Sequence, residues 1–209
     1  MNTFKSVKTS LAAVALTLPL VASAASTVTT GTGTLTATAT VNFTVIIPQY
    51  LYLRIGTGSS YATGALTGVS TTDLISFSPA VGSVGNGTAV AGTGGDLTGG
   101  VETAAVLGNG GNVTLTAAAT GPLTDSAGDT IPFTQITTAA AANTATYSTL
   151  AAPALSNTSS SETITATNKV VMADAKWTFS YANAAAEPAG TYGGTTALNG
   201  VVTYTASMP

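Results

Sequence analysis

A regular two-residue alternation near the start of the chain constrains the fold more than any other feature. From Thr34 to Ile47 (TLTATATVNFTVII), apolar or small residues occupy the odd positions from Leu35 onward, and Thr or Asn occupies every even position up to Thr44. Successive side chains of a β-strand point to opposite faces, so this pattern predicts one long strand with an apolar face. It would be more than twice the usual length of about five or six residues.

The rest of the chain has the composition of an all-β protein. Thr, Val, Ala, Gly and Ser dominate, and the usual helix formers are scarce. β-branched residues fit a pleated sheet well. We expect strands near residues 49–56, 73–78, 101–107, 112–118, 131–137, 163–172, 176–181 and 201–208, with turns rich in Gly, Asn and Asp between them. Such spacing predicts one β-sandwich.

Two stretches do not fit the strand pattern. Residues Gly82 to Gly100 are so rich in glycine that ordering them is entropically costly, and we expect a long surface loop or a mobile excursion. The second stretch, Ala139 to Ser156, contains an alanine run that could hold one helical turn before Pro153 interrupts it.

The first 24 residues have the composition of an export signal. Lys5 and Lys8 precede the apolar run LAAVALTLPLVA, and Ala22-Ser23-Ala24 has the small-x-small pattern of a cleavage site. The apolar run is too short to span a bilayer, so we expect no membrane association of the mature form. We predict a removed signal peptide at 1–24, an N-terminal arm with its hinge at 25–48, and a sandwich domain at 49–209.

Charge and composition exclude several classes of partner. Without the signal peptide, three basic residues remain against eight carboxylates. Nucleic acids and anionic membranes are bound through clustered Lys and Arg, so neither is an expected partner. The chain has no Cys, and disulfides therefore do not stabilise the exported protein.

The sequence offers little for catalysis or metal binding. It contains no His and no Cys, and its carboxylates are scattered. Asp125 and Asp129 could serve a hydrolase or a Ca²⁺ ion, but DSAGD reads better as a turn and lacks the calcium-loop pattern. Four Asn residues begin N-x-Ser/Thr sequences, which a Thr-rich chain produces by chance: Asn42, Asn86, Asn112 and Asn157. We predict no enzymatic activity, no cofactor and no metal.

Aromatic residues alternate in two places. Trp177, Phe179 and Tyr181 share one face of a predicted strand, where they could form a sugar-stacking platform but are better explained as core anchors. Tyr50, together with Tyr52 and Arg54 on the same face of the strand at 49–56, is the better candidate for a surface contact.

The alternating segment ends at Pro48. Proline disfavours helix at the preceding residue and lacks a backbone donor, so Pro48 is a natural hinge between the segment and the next strand. An arm of this kind can add to the open edge of another sheet, where its alternate side chains fill a groove. The side chains expected to point into such a groove are Leu35, Ala37, Ala39, Val41, Phe43, Val45 and Ile47.

The arm, its terminal proline and the end of the chain resemble fimbrial major subunits that polymerise by donor-strand exchange. The similarity is greatest to the Cys-free α-type pilins of the chaperone-usher pathway. It rests on LTATATVNFTVIIP followed by YLYLRIG, on the central GNVTLTAAATGPLTDSAGDTIPFTQI, and on EPAGTYGGTTALNGVVTYTAS, in which Gly190 and Tyr192 match the family pattern. Biofilm-fibre and archaeal bundling-pilus subunits also exchange strands, which leaves the assembly route open.

The resemblance implies an incomplete immunoglobulin-like antiparallel sandwich, completed by the arm of a neighbouring subunit. It implies identical subunits as partners in a cell-surface filament for adhesion or biofilm formation, with a periplasmic chaperone and an outer-membrane usher as assembly partners. The final strand then supplies one groove wall: Val202, Tyr204, Ala206 and Met208. The alternative is a monomeric secreted sandwich that binds glycan or protein and uses 35–47 as its own first strand.

Overall fold

A computed structural model of the chain describes residues 26–56, 66 and 71–209. The predicted signal peptide at 1–24 lies outside these residues. By its internal contacts the chain divides into two units, Met1–Ile47 and Pro48–Pro209. Within the described residues, every named strand belongs to the second unit, and the alternating segment of the first unit contains none.

The second unit is built almost entirely of strands, which confirms the all-β prediction. In chain order the strands are β1 (Leu51–Ile55), β2 (Ile75–Ser76), β3 (Val90–Ala91), β4 (Thr93–Gly94), β5 (Val101–Gly108), β6 (Val113–Ala118), β7 (Leu123–Thr124), β8 (Thr130–Ile131), β9 (Ile136–Ala141), β10 (Ser148–Thr149), β11 (Ser159–Ile164), β12 (Val171–Tyr181) and β13 (Thr203–Ser207). Short 3₁₀ helices lie at Val81–Ser83, Phe133–Gln135 and Thr196–Leu198. In the part of the chain that the structure describes, no helix has the length and apolarity needed to cross a membrane.

The larger sheet has six strands and is organised around β12, the longest strand. β12 pairs antiparallel with β5, β9 and β3, and parallel with the short β10. On its other side β5 pairs antiparallel with β1, in a register that runs from Leu51 opposite Gly108 to Ile55 opposite Ala104. β1 therefore lies at one margin of this sheet.

The smaller sheet has three antiparallel strands in the order β11-β6-β13. β13 pairs with β6 from Thr203 opposite Ala118 to Ser207 opposite Thr114. The last strand of the chain is therefore a margin of the second sheet, as β1 is of the first.

The two sheets form a sandwich, because inward side chains of β5, β6 and β12 pack together in one apolar cluster. Trp177 is fully buried at its centre, and its indole N–H donates to the carbonyl oxygen of Leu150 at 2.8 Å. Phe179 and Tyr181 are buried on the same face of β12. A sugar-stacking platform needs accessible rings, so the buried row does not support that interpretation.

The glycine-rich stretch 82–100 is more ordered than its composition suggests. It holds β3 and β4, which pair with β12 and β2. Gly94 explains why the stretch needs glycine: its φ is +83°, and an added Cβ would lie 2.1 Å from the carbonyl oxygen of Leu74. At such positions the backbone approaches too closely for a side chain.

The structure differs from three other predictions. The alanine run at 139–141 lies in β9 and pairs with β12, so the expected helical turn is wrong. The strand predicted at 131–137 is interrupted by a 3₁₀ helix that begins directly after Pro132, which has no N–H to donate to a ladder. Within 163–172 the strand is broken by a tight turn at Asn168 and Lys169, both with positive φ.

Arg54 corrects the expected surface on the outer face of β1. Its side chain is only 7% exposed, and its guanidinium donates to the Thr103 hydroxyl at 3.3 Å. The Asp96 carboxylate in turn accepts hydrogen bonds from the backbone N–H and the hydroxyl of Thr103. The turn between β4 and β5 therefore covers Arg54, and the arginine is part of the fold.

Candidate functional site

On one side of the sandwich the margin strands β1 and β13 lie next to each other, and we call the line between them the β1/β13 groove. The two strands are the margins of different sheets, and some of their Cα atoms lie within 8 Å of each other. Among the described residues, β1 pairs only with β5 and β13 pairs only with β6. Two strand edges therefore border the groove, each able to accept further main-chain hydrogen bonds.

Apolar side chains line both walls of the groove. On the β13 side they are the four residues predicted for a wall, and on the β1 side they are three alternating residues of that strand. All but Leu51 are half-buried against the main core, and Leu51 is 37% exposed. The wall residues are Leu51, Leu53, Ile55, Val202, Tyr204, Ala206 and Met208.

The strands β1 and β13 lie closer together than they would with a further strand between them. Adjacent strands lie about 4.8 Å apart, so a strand inserted between β1 and β13 would hold them about 9.6 Å apart. Some of their Cα atoms are separated by less than 8 Å. Accommodation of a strand with both ladders therefore requires the two margins to separate by a small distance.

One end of the groove is closed by polar contacts between its walls. The Gln49 side-chain amide donates to the Pro209 carbonyl oxygen at 3.0 Å. Beside it, the Met208 sulfur accepts from the backbone N–H of Gly110 at 3.1 Å. The first contact joins the residue before β1 to the end of the chain after β13, and the second joins Met208 to the loop between β5 and β6.

The predicted hinge residue is held at the same end. The Asn109 side chain donates to the Pro48 carbonyl oxygen and accepts from the Tyr50 backbone N–H, each at 2.8 Å. Asn109 follows β5 directly, so the β1–β5 pair positions it. The chain is therefore anchored on the sandwich immediately after the last residue of the arm.

Towards the other end of the groove, Tyr204 packs on Trp177 of the core, and Glu102 stands opposite Trp177 on β5. The rings of Trp177 and Tyr204 lie 5.5 Å apart at 43°. Burial raises the pKa of Tyr204, and the charge of Glu102 acts in the same direction. Burial also raises the pKa of Glu102 to about 7, and the charges of Asp73 and Asp96 add to this shift.

Within its own unit, the arm carries a run of exposed apolar side chains. Phe43 is 88% exposed and Val45 is 83% exposed. The other large apolar residues from Leu35 to Ile47 are also exposed. Exposed apolar runs of this length are typical of interaction surfaces.

The Asp125 carboxylate has a structural role in the β7–β8 hairpin, and Asp129 takes part through its backbone. The Asp125 carboxylate accepts from the backbone N–H groups of Ala127 and Asp129, both at 2.9 Å. This is the Asx-turn geometry that the sequence DSAGD favours. Within the described residues, no group of three potential ligands is arranged to hold a metal ion.

Three of the four glycosylation-type asparagines also have structural contacts. The side-chain oxygens of Asn86, Asn112 and Asn157 accept from the backbone N–H groups of Thr88, Ala166 and Phe133, respectively. These side-chain amides cap turns and loop segments. This structural role explains the Asn at each position without glycosylation.

Sequence reasoning missed two parts of the groove. The alternation of Leu51 and Leu53 indicated an inward face but not that this strand forms the second wall. Glu102 was not singled out, although it occupies an inward position in a strand where Ala104 and Val106 follow it on the same face. A carboxylate at an inward position of an apolar strand is the signal that could have found it.

Comparison of the chain with protein-family models, with curated proteins and with solved structures found no match.

Proposed function

We propose that this protein is a structural subunit of an extracellular filament and polymerises head to tail by donor-strand exchange. In this proposal the arm of one copy enters the β1/β13 groove of the next. The observation that carries the proposal is the incomplete coverage of the inward side chains of β1 and β13, whereas those of β5 and β12 are buried.

The arm suits the groove in its chemistry and its backbone. Its odd positions are apolar or small, and its even positions are mostly Thr, so one face can meet the core while the other stays polar. Its backbone can pair with both free edges, which is the strand-addition mode of recognition. The resemblance to α-type pilins is consistent with the same arrangement.

The burial available is large enough to hold subunits together. Each large apolar side chain that becomes fully buried contributes about 1.5 to 3 kcal/mol. Several such residues lie between Val41 and Ile47, although ordering the arm and separating the groove walls reduce the net gain. Because the arm and the groove are different surfaces, the contact repeats without closing, and a filament grows.

The sharpest test is Phe43→Asp in the exported protein. An unpaired carboxylate in an apolar groove is strongly unfavourable, so we expect electron microscopy to show filaments for the wild type and none for this variant. Thr44→Asp is the matched control, because it adds the same charge to the opposite face of the arm. We expect it to leave filaments intact.

Filaments of normal length and number from Phe43→Asp would contradict strand exchange through the arm. A wild-type protein that stays dispersed at high concentration would instead favour the alternative, a secreted sandwich that binds glycan or protein as a monomer.

A further inference from the structure

Glu102 is an acid at an inward position of the sandwich. It lies on β5 and is only 5% exposed, and its cross-strand neighbour is Trp177 at the centre of the core. The next residues on the same face of β5 are Ala104 and Val106, both fully buried. Among the described residues, the Glu102 Oε2 atom has no hydrogen-bond partner.

This carboxyl group lies between the two walls of the β1/β13 groove. On the β1 side, a Cβ added to Gly56 would be 2.5 Å from Glu102 Oε2 and 2.5 Å from Asp73 Oδ2. On the β13 side, Glu102 stands opposite Trp177 in the β5–β12 ladder, and the Trp177 ring packs against that of Tyr204 at 5.5 Å. Glu102 is therefore an acidic group at the end of the groove opposite Gln49 and Pro209.

The charged groups around Glu102 do not neutralise it. Besides burial, the charges of Asp73, which precedes β2, and of Asp96, from the turn before β5, both raise the pKa of Glu102, and a backbone hydrogen bond at Asp96 lowers it by less. Arg54 contacts Thr103 on the opposite face of the sheet. Lys176 is exposed and alternates with the buried Trp177, so it too belongs to the opposite face.

We propose that Glu102 makes strand uptake by the β1/β13 groove proton-linked, so that the groove accepts a neighbour's arm best when this carboxyl group is protonated. This inference rests on the proposed function and adds a regulatory condition to it. The arm would have to close over a groove that holds a neutral acid below about pH 7 and a carboxylate above it.

The direction of the pH effect follows from desolvation. Glu102 itself has almost no contact with water. An inserted strand would replace the solvent that still lies beyond it, over the half-buried margin residues, with apolar groups, and a less polar surrounding without a cation disfavours the charged form. Uptake therefore raises the pKa of Glu102 further, and the groove gains proton affinity as it fills. By linkage, filament assembly strengthens as pH falls, about tenfold for each pKa unit by which uptake raises the pKa.

The same pKa shift sets the pH dependence of the unassembled sandwich. The pKa of Glu102 is raised from 4.5 to about 7 in the folded state, so the folded protein binds more protons than the unfolded chain in this interval. The contribution of Glu102 to folding stability is fully present below its unfolded-state pKa and is lost as the pH rises through its folded-state pKa.

The test compares assembly of the full exported chain at about pH 5 and about pH 8.5, measured by light scattering and electron microscopy. We expect the wild type to assemble at least about tenfold less at the higher pH, on the assumption of one unit of further shift. Glu102→Gln keeps the shape and removes the titration, so its assembly should be equal at both pH values. Glu162→Gln, on the exposed face of β11, should behave as the wild type.

A second variant keeps the test informative if Glu102→Gln folds poorly. Asp73→Asn removes a neighbouring like charge, so the midpoint of the pH dependence should move to lower pH. Equal assembly of the wild type at both pH values would overturn the inference, as would an unchanged midpoint in Asp73→Asn. Either result would leave strand exchange standing, whereas absence of filaments at every pH would reject the proposed function itself.

Discussion

The middle strands of the sandwich and its two margins differ in how completely their inward side chains are covered. On β5, Ala104 and Val106 are fully buried, and on β12 Trp177 is fully buried. On β1 and β13 most inward residues contact the same core but remain partly exposed, and Leu51, at the start of β1, is 37% exposed. All of these residues are apolar, so residue type does not explain the difference.

The cause is the number of neighbouring strands. β5 has partners on both sides, whereas β1 and β13 each have one within the described residues. A side chain on a margin strand lacks the covering that a second neighbour provides. One further strand at the margins would complete the core. We therefore expect substitutions in the middle strands and in the margin strands to respond differently to assembly.

The largest effect is expected in the middle of the sandwich. Trp177→Ala removes the largest buried side chain and its hydrogen bond to Leu150, and we expect a loss of about 3 to 5 kcal/mol in the free energy of unfolding. Urea unfolding followed by circular dichroism would measure it. Thr178→Ala, the exposed neighbour on β12, should change stability by no more than about 0.5 kcal/mol.

A loss of about 1 kcal/mol or less for Trp177→Ala would mean that this region is not the centre of the core, and the contrast between middle and margin would fail.

An intermediate effect is expected on the groove wall, and it should depend on assembly. In the unassembled Phe43→Asp background, Leu53→Ala should lose less than about 2 kcal/mol, because the side chain is only half-buried. In filaments, where the arm would cover Leu53, the loss should rise to about 2 to 5 kcal/mol per subunit. Denaturant unfolding of the variant and filament dissociation would give the two values.

Val106→Ala is the matched control for this comparison, since Val106 on β5 is already fully buried within a single subunit. Its cost should be the same in both states. If the stability loss of Leu53→Ala is also the same before and after assembly, nothing covers the β1 wall of the groove in the filament.

The smallest effect is expected at the point where the arm leaves the sandwich. Asn109→Ala removes the hydrogen bonds that hold Pro48 and Tyr50, and we expect a loss of about 1 kcal/mol. Amide hydrogen exchange at Tyr50 should become faster. Asn112→Ala removes a comparable bond to Ala166 and should leave exchange at Tyr50 unchanged; protection that survives in Asn109→Ala would show that Asn109 does not anchor the hinge.

Several elements were predictable from local patterns. The strand from Val113 to Ala118 and the final strand lie where alternation and turn residues predicted them. The row from Trp177 to Tyr181 was predicted to be core and is buried. In each case the two-residue period and the flanking Gly or Asn residues carry the information, because they act within a single strand and its turns.

Other features depended on contacts between distant segments. The alanine run at 139–141 has no local preference strong enough to choose a strand, and its pairing with β12 decides its conformation. Arg54 stands at an outward position by alternation but is buried by the turn that contains Asp96. Local propensity cannot anticipate either outcome, since both result from tertiary packing.

The sequence alone determined that this chain forms β-strands around one apolar core and carries a segment of unusually long alternation, because side-chain chemistry and its two-residue period are local properties. Only the tertiary structure decided which strands lie at the margins. It placed the β1 wall opposite the predicted β13 wall and set Glu102 between them. Strand order depends on pairing between residues far apart in the chain, and no local pattern specifies it.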